Sequence, residues 1–197
     1  LNSDRFQYVN FATAGGQFLV ACNGVDPVQV YNGTYWFSIA TTSTGQTINT
    51  ITRGGTGNLT ATVTTASAHG LSTGNQVTVS GASPTQYNGT YRITVTGATT
   101  FTYTMASAPA TDATTVGTYL PLGITGVNSN TFIHVNAYKE RLWFTQKDTL
   151  KIWYLETDSI GGAASEINFG GIARNGGYLQ AMGTWTIDAG QGVDDYA

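Results

Sequence analysis

The chain has 197 residues, which is enough for one well-filled hydrophobic core or two smaller ones. Eight basic and eleven acidic residues give a net charge of −3, and charged residues make up 10% of the chain, against about 25% in an average soluble protein. The composition argues against tight binding to nucleic-acid backbones and against a cytosolic housekeeping enzyme, and is typical of extracellular and virion β-proteins.

The single cysteine and the lack of long apolar runs exclude further classes of protein. Cys22 is the single cysteine, so the chain can form neither an internal disulfide nor a thiolate metal cage, and we predict a buried strand residue there. The sequence contains no apolar run of about 18 residues, so we predict no membrane span and no export signal. A new strand begins near the last residues, 194–197, from which we expect a fragment of a longer protein.

The first module that we predict, residues 1–46, is a four-stranded antiparallel sheet. Its Asn32-Gly33 pair indicates a type I′ hairpin turn, because both residue types tolerate a positive φ. Runs of apolar and aromatic residues separated by Gly, Asn and Pro place the strands at 6–11, 17–22, 28–31 and 34–39.

The second predicted module, residues 47–121, is a small inserted β-barrel or sandwich. Residues 41–118 contain three charged residues and are saturated with Thr, Ser, Gly and Ala. Apolar and polar residues alternate along the predicted strand 89–96, which places Tyr91, Ile93 and Val95 on one face of the sheet. We predict that Phe101 and Tyr103 pack with them. Residues 41–45 and 116–121 are predicted linkers, and the strands are expected at 59–64, 76–80, 89–96 and 100–105.

The third predicted module, residues 122–197, repeats the first in pattern. A polar connection at 146–149 joins two aromatic strands, and aromatics on both faces indicate a sheet sandwiched between neighbours. No helix is expected beyond one turn at 163–167. The predicted strands are 131–137, 141–145, 150–156, 166–169 and 178–187.

Two four-stranded groups of about forty residues are the spacing of a radial blade architecture. The predicted fold is therefore all-β. It consists of part of a β-propeller-like domain with two four-stranded blades, interrupted by the small β-barrel or sandwich, and the last residues start a further blade.

The sequence contains few residues that are candidates for catalysis or ligand binding. His69 stands in a loop where its ring can bond the backbone and fix the turn, and His134 stands at an ordinary strand position. A Ser-His-Asp arrangement stays open because such triads assemble in space, but no G-x-S-x-G pattern occurs. We predict no enzyme and no catalytic, cofactor-binding or metal-binding residue.

Four further features have a functional and a structural interpretation. Asp188, Asp194 and Asp195 could collect Ca²⁺, although a turn explains them better. The identical pentapeptides YNGTY at 31–35 and 87–91 are either a duplicated site or two tight hairpin turns. Four tryptophans could stack on sugars or fill cores and interfaces: Trp36, Trp143, Trp153 and Trp185. A depolymerase would need two neighbouring carboxylates, from Asp148, Glu156, Asp158 and Glu166.

Several motifs in the segment 141–195 resemble the tail nozzle, or tail tubular, proteins of short-tailed bacteriophages. These motifs are KIWY at 151–154, GGAA at 161–164, FGG at 169–171, GGYL at 176–179, GTWT at 183–186 and DAG at 188–190. The middle module resembles a small β-barrel of phage structural proteins that is similar to an accessory domain of ubiquitin-activating enzymes. It carries HGLSTG at 69–74, VTVSG at 77–81, YNGTY at 87–91 and FTY at 101–103, with Asn75 where many phage copies have Asp.

The resemblance implies a structural virion protein of the phage tail, a nozzle subunit that forms part of the DNA exit channel. Its implied partners are copies of itself in a ring, other phage tail proteins and DNA in transient passage without sequence-specific binding. The alternative is a host-receptor or glycan-binding module of the tail, whose partner is the host envelope.

Overall fold

A computed structural model describes residues 3, 5–41, 44–173, 175–188 and 193–196. It is all-β, as predicted, and the described residues contain no α-helix. The chain divides into two compact units: unit 1 is Leu1–Thr41 with Gly123–Ala197, and unit 2 is Thr42–Leu122. Among the described residues, no helix is long and apolar enough to cross a membrane.

The first sheet of unit 1 is an antiparallel meander of four strands in chain order. Alternating residues of these strands form the core, including Phe11, Val20, Val30 and Phe37. The strands are β1 (Gln7–Thr13), β2 (Gly16–Cys22), β3 (Val28–Tyr31) and β4 (Trp36–Ile39).

The predicted type I′ turn between β3 and β4 is wrong. Tyr31 pairs with Trp36, so the loop has four residues, and within it only Gly33 has a positive φ, of 92°. The side-chain oxygen of Asn32 accepts hydrogen bonds from the backbone N–H groups of Thr34 (3.0 Å) and Tyr35 (2.9 Å). This local side-chain bond gives the chain an alternative to the two-residue turn.

Unit 2 is a seven-stranded, nearly closed, barrel-like sheet in the order β8-β7-β11-β5-β6-β10-β9. Its core contains Ile51, Val63, Val79 and Phe101. The strands are β5 (Gln46–Gly54), β6 (Thr60–Thr65), β7 (Gln76–Ser83), β8 (Gly89–Arg92), β9 (Thr94–Gly97), β10 (Thr100–Thr104) and β11 (Thr115–Pro121).

The predicted strand 89–96 is broken at Ile93, where the chain changes partners. β8 pairs with β7, whereas β9 pairs with β10. Ile93 itself is buried, and its N–H donates to the carbonyl of Asn75 at 3.0 Å. The predicted alternation holds across the break, because Ile93 is buried while Arg92 and Thr94 are exposed.

Two strands of the barrel, β5 and β11, are missing from the prediction. The stretch 116–121, predicted as a linker, belongs to β11, which lies between β7 and β5 in the sheet. The prediction fails because this stretch contains Gly and Thr and, apart from Tyr119, contributes little to the core.

The second sheet of unit 1 has the order β13-β14-β15-β17, and β12 pairs with β16 in a short parallel ladder. The single helical turn allowed for at 163–167 is replaced by two short strands, and only 185–187 of the predicted strand 178–187 belongs to a strand. The strands are β12 (Ile124–Thr125), β13 (Phe132–Tyr138), β14 (Arg141–Gln146), β15 (Lys151–Tyr154), β16 (Gly162–Ala163), β17 (Ser165–Asn168), β18 (Trp185–Asp188) and β19 (Val193–Tyr196).

The physical reason for both differences lies in backbone pairing. The chain around residues 163–167 finds strand partners, because Ser165 pairs with Tyr154 and Ala163 with Thr125. In the stretch 178–184 the N–H of Leu179 donates instead to the carbonyl of Thr149, at 2.8 Å. Tertiary partners therefore override the local pattern in each case.

The two sheets of unit 1 approach each other through their first strands. β13 lies against β1 and β2. The N–H of Gly24 donates to the carbonyl of Phe132 at 2.7 Å, and Ser129 Oγ donates to the carbonyl of Ile39 at 3.0 Å. Gly24 has a φ of 74°, and a Cβ there would meet Ile133 at 2.6 Å, so the contact requires glycine.

Candidate functional site

The outer face of the first sheet carries an open groove of about 430 Å³, called here the first-sheet groove. Cross-strand pairing places Tyr8 opposite Ala21 and Ala21 opposite Gln29 in one row of the sheet. The groove is lined by Phe6, Tyr8, Leu19, Ala21, Gln29 and Trp36.

The first-sheet groove has aromatic walls and a small floor. Tyr8 and Trp36, on the two edge strands, are 69% and 51% exposed, whereas Ala21 between them is buried. The Tyr31 ring lies beside Trp36 with 5.3 Å between centroids. The amide of Gln29 donates to the carbonyl of Pro27 at 2.8 Å, and no lining residue is charged. The groove is therefore suited to an apolar, uncharged occupant.

A second apolar groove, of about 360 Å³, lies on the outer face of the second sheet and is called the second-sheet groove. Its lining includes Tyr138, Trp143, Ile152, Ile167 and Met182, and it also contains no charged residue. Ile167 is 39% exposed. The predicted pattern of aromatics on both faces of this sheet thus corresponds to one buried face and one half-buried face, which Met182 and Thr184 border.

His69 fixes its loop, as the sequence predicts. The backbone N–H of Leu71 donates to Nδ1 at 3.0 Å, and Nε2 lies 3.0 Å from the carbonyl of Gly97. The ring meets Phe101 edge-on with 5.6 Å between centroids. An accepting Nδ1 and a donating Nε2 define one neutral tautomer, so both nitrogens are engaged in structure.

His134 occupies a strand position in β13, as predicted, and burial lowers its pKa from the usual 6.5. Its Nδ1 is buried and has no hydrogen-bond partner among the described residues. Cys22 is buried in β2, as predicted, and burial raises the pKa of its thiol to about 12. A thiol with such a pKa stays protonated and unreactive at neutral pH.

Each candidate depolymerase carboxylate has a structural role. Glu156 pairs with Arg141 at 3.3 Å and Glu166 with Lys151 at 2.8 Å. Asp158 accepts a hydrogen bond from the N–H of Ala14 at 2.8 Å, and Asp148 sits in a turn with a φ of 54°. The described residues contain no group of three or more His, Cys, Asp or Glu side chains that could hold a metal ion.

The side chains of the Ca²⁺ candidates Asp188, Asp194 and Asp195, like that of Trp185, lie outside the described part of the structure. The other tryptophans differ in exposure. Trp153 is buried and donates to Gln146 Oε1 at 2.9 Å, Trp143 is half-buried and donates to the carbonyl of Tyr138 at 3.1 Å, and Trp36 is exposed.

The two YNGTY pentapeptides adopt different structures. The first is the four-residue hairpin loop between β3 and β4 described above. In the second, Asn88 follows a 3₁₀ turn and its amide exchanges two hydrogen bonds with the backbone of Ala82, of 2.8 and 2.7 Å. The hairpin-turn interpretation therefore holds for the first copy only, and the two copies do not form a duplicated site.

The grooves are what sequence reasoning missed. Leu19 and Trp36 alternate with core residues along their strands, which places them on the other face of the sheet, but alternation does not show that this face is left open. Comparison with known proteins adds no assignment: no family model, no curated protein and no solved structure matches the chain.

Proposed function

We propose that the chain is a structural protein of a bacteriophage tail, a nozzle subunit in which the two sheets of unit 1 are blades of a propeller-like wall around the DNA exit channel. One observation carries the proposal. The two four-stranded meanders approach each other through β13 on one side and β1 and β2 on the other. In a radial array, neighbouring blades are closest at their first strands.

The low charge of the chain supports a role in the wall of a DNA channel. A net charge of −3 with 10% charged residues leaves little positive surface. A wall rich in Lys and Arg would bind phosphates and release counterions, which would retard DNA in passage. The resemblance of the segment 141–195 to nozzle proteins points the same way. In this proposal, unit 2 is an accessory barrel that the chain carries between the two sheets of the wall in sequence, at residues 42–122.

The alternative, a host-receptor or glycan-binding module, rests on Trp36. Trp153 is buried and Trp143 is half-buried with its N–H engaged, so neither offers an open stacking platform. Sugar recognition also needs free polar groups beside the aromatic rings, and the amide of Gln29 is already bonded to Pro27. These observations favour the structural role.

The experiment is electron microscopy of purified particles of the phage that encodes the chain, labelled with antibody raised against it. Label at the distal end of the tail supports the nozzle role. Label on fibres or spikes supports host binding instead. Immunoblotting of denatured particles provides the control for buried epitopes, and absence of signal there removes the virion assignment.

A further inference from the structure

We propose that Asn32 is a site of self-modification, at which the backbone nitrogen of Gly33 attacks the side-chain amide and converts the residue, through a succinimide, into aspartate or isoaspartate. This deamidation needs no enzyme, and water is its co-reactant. The chain contains four Asn-Gly pairs, at 23–24, 32–33, 88–89 and 175–176, and their surroundings differ. The chemistry is independent of the nozzle role.

The reaction requires three groups of an Asn-Gly pair to be available. The glycine nitrogen loses its proton and forms a bond to Cγ of the asparagine, and glycine favours this ring closure because it has no Cβ and a permissive backbone. The Cγ–Nδ2 bond then breaks, and the side-chain nitrogen leaves as ammonia with the proton that the glycine lost. Water opens the succinimide at either of its carbonyl groups. The glycine N–H and the side-chain NH₂ must therefore be free, while Oδ1 carries the negative charge of the tetrahedral intermediate.

The hairpin loop between β3 and β4 meets all three requirements. Oδ1 of Asn32 accepts hydrogen bonds from the backbone N–H groups of Thr34 at 3.0 Å and Tyr35 at 2.9 Å. Two such donors stabilise the charge that develops on this oxygen, as in an oxyanion hole. Nδ2 of Asn32 and the N–H of exposed Gly33 have no hydrogen-bond partner among the residues that the structure describes.

Asn23 has the same pair of donors but neither of the free groups. Its Oδ1 accepts from the N–H groups of Val25 at 3.1 Å and Asp26 at 2.8 Å, two and three positions further along the chain. Its Nδ2 donates to Asp26 Oδ2 at 2.8 Å, and the N–H of Gly24 donates to the carbonyl of Phe132 at 2.7 Å. Leaving group and nucleophile are both held, so these bonds must break before the ring closes.

Asn88 has the same sequence neighbours as Asn32, because both lie in a pentapeptide YNGTY. A rate set by sequence alone would be equal at the two positions. Both ends of the Asn88 amide are bonded to the backbone of Ala82, at 2.8 and 2.7 Å, and Gly89 pairs with Val79 in the ladder of β7 and β8. A difference in rate between the two copies therefore measures the effect of the structure.

The fourth pair is restrained at one group. The exposed side chain of Asn175 has no hydrogen-bond partner among the described residues, but the N–H of Gly176 donates to the carbonyl of Ala173 at 3.1 Å. We expect its rate to lie between those of Asn32 and Asn23.

The two products affect the loop differently. Aspartate at position 32 keeps oxygens that accept from Thr34 and Tyr35, and its negative charge strengthens these bonds. Isoaspartate adds a carbon atom to the main chain of a four-residue loop whose flanking residues, Tyr31 and Trp36, pair directly. We therefore expect isoaspartate to disturb the ring contact of Tyr31 with Trp36, which has 5.3 Å between centroids.

The test is peptide mapping by mass spectrometry of the full chain, after incubation in mildly alkaline buffer that promotes loss of the glycine proton. Digestion at acidic pH prevents further conversion. Each Asn-Gly pair is scored for replacement of the side-chain NH₂ by OH, and chromatographic retention separates aspartate from isoaspartate. We expect Asn32 to react at least about tenfold faster than Asn23 and Asn88, since each hydrogen bond that must break first adds to the barrier.

Incubation in guanidinium chloride is the matched control, with unfolding confirmed by tryptophan fluorescence. We expect Asn32 and Asn88 to react at equal rates there, because their neighbours are identical. Equal rates at these two positions in the folded chain would overturn the proposal, as would an Asn23 that keeps pace with Asn32. A difference between the two copies that persists unchanged in the unfolded chain would also overturn it, because the structure would then not be its cause.

Discussion

His134 on β13 lies directly opposite Thr145 on β14, and each has a buried polar atom without a hydrogen-bond partner among the described residues. The atoms are Nδ1 of the imidazole and Oγ1 of the hydroxyl. Unpaired buried polar atoms cost stability, so this cross-strand pair is a weak point in the second sheet of unit 1.

His134 makes the stability of unit 1 depend on pH. Burial lowers its pKa below the usual 6.5, so the unfolded chain takes up the proton more readily than the folded chain. The stability is fully present above about pH 6.5 and falls as the pH drops from there towards the folded-state pKa. All four tryptophans belong to unit 1, so tryptophan fluorescence follows its thermal unfolding.

We expect the unfolding temperature to fall between pH 7.5 and pH 5.5, and to fall less in His134→Gln, which does not titrate in this range. The difference between the two proteins isolates His134 from the carboxylates. Equal slopes in wild type and variant would show that His134 does not cause the dependence.

Thr145→Val tests the unpaired hydroxyl. Valine has nearly the same shape and removes a buried polar atom without a partner, so we expect the free energy of unfolding to stay level or rise by up to about 1 kcal/mol. Thr145→Ser is the matched control, because it keeps the hydroxyl and loses a buried methyl group, which lowers stability by about 1 kcal/mol. Unfolding in urea measures the free energy of unfolding of both variants. A clear loss of stability in the valine variant would reveal a partner for the hydroxyl.

Gly117 lies in very close contact with a neighbouring strand of unit 2. Its φ is +65°, and a Cβ there would run into the backbone of Ser80, Gly81 and Ala82. We expect Gly117→Ala to destabilise unit 2 by at least about 3 kcal/mol, since backbone strain and a clash add.

Gly70→Ala is the control for this prediction. Gly70 has a φ of +64° but no heavy atom within 4 Å of the added Cβ, so only the conformational cost of about 1 kcal/mol remains. Hydrogen exchange of the backbone amides of residues 42–122, read by mass spectrometry, follows unfolding of unit 2. Similar losses in both variants would mean that the backbone around Ser80 can move aside.

We expect that unit 2 can be removed without unfolding unit 1. The chain leaves and re-enters unit 1 at one point, where the N–H of Ile124 donates to the carbonyl of Ala40 at 3.1 Å and Thr41 Oγ1 donates to the carbonyl of Val127 at 3.0 Å. Replacing residues 42–122 by a short Gly/Ser linker therefore closes a small gap. We expect tryptophan fluorescence to show the same cooperative unfolding, within a few degrees. Loss of the transition would show that unit 2 is required for folding.

The sequence predicts strands well where apolar residues alternate and turns are marked by glycine or asparagine. The stretch 28–31 matches β3, and the predicted pairing of Phe101 with the face of Val95 is confirmed as a cross-strand pair. Prediction fails where a partner strand rather than the local pattern decides, as in β5 and β11 of the barrel. The sequence predicts a linker at Gly117, because nothing in the local pattern shows that its backbone packs closely against the backbone of Ser80.

The grooves could not be predicted for a related reason. Alternation shows that Tyr8 and Phe11 lie on different faces of β1, but it does not show which face is covered. Burial decides this, and Phe11 is 5% exposed whereas Tyr8 is 69% exposed. Coverage depends on tertiary packing, and β1 has a neighbour in β13, more than a hundred positions further along the chain.

The change of partner at Ile93 also limits unwanted aggregation. Because β8 and β9 are consecutive and stand at the two ends of the barrel sheet, the sheet ends in two strands of only four residues each. Long free edges are templates for pairing with strands of other molecules, and short ones are poor templates. We therefore expect copies of unit 2 to resist edge-to-edge pairing of their strands even when they are crowded together.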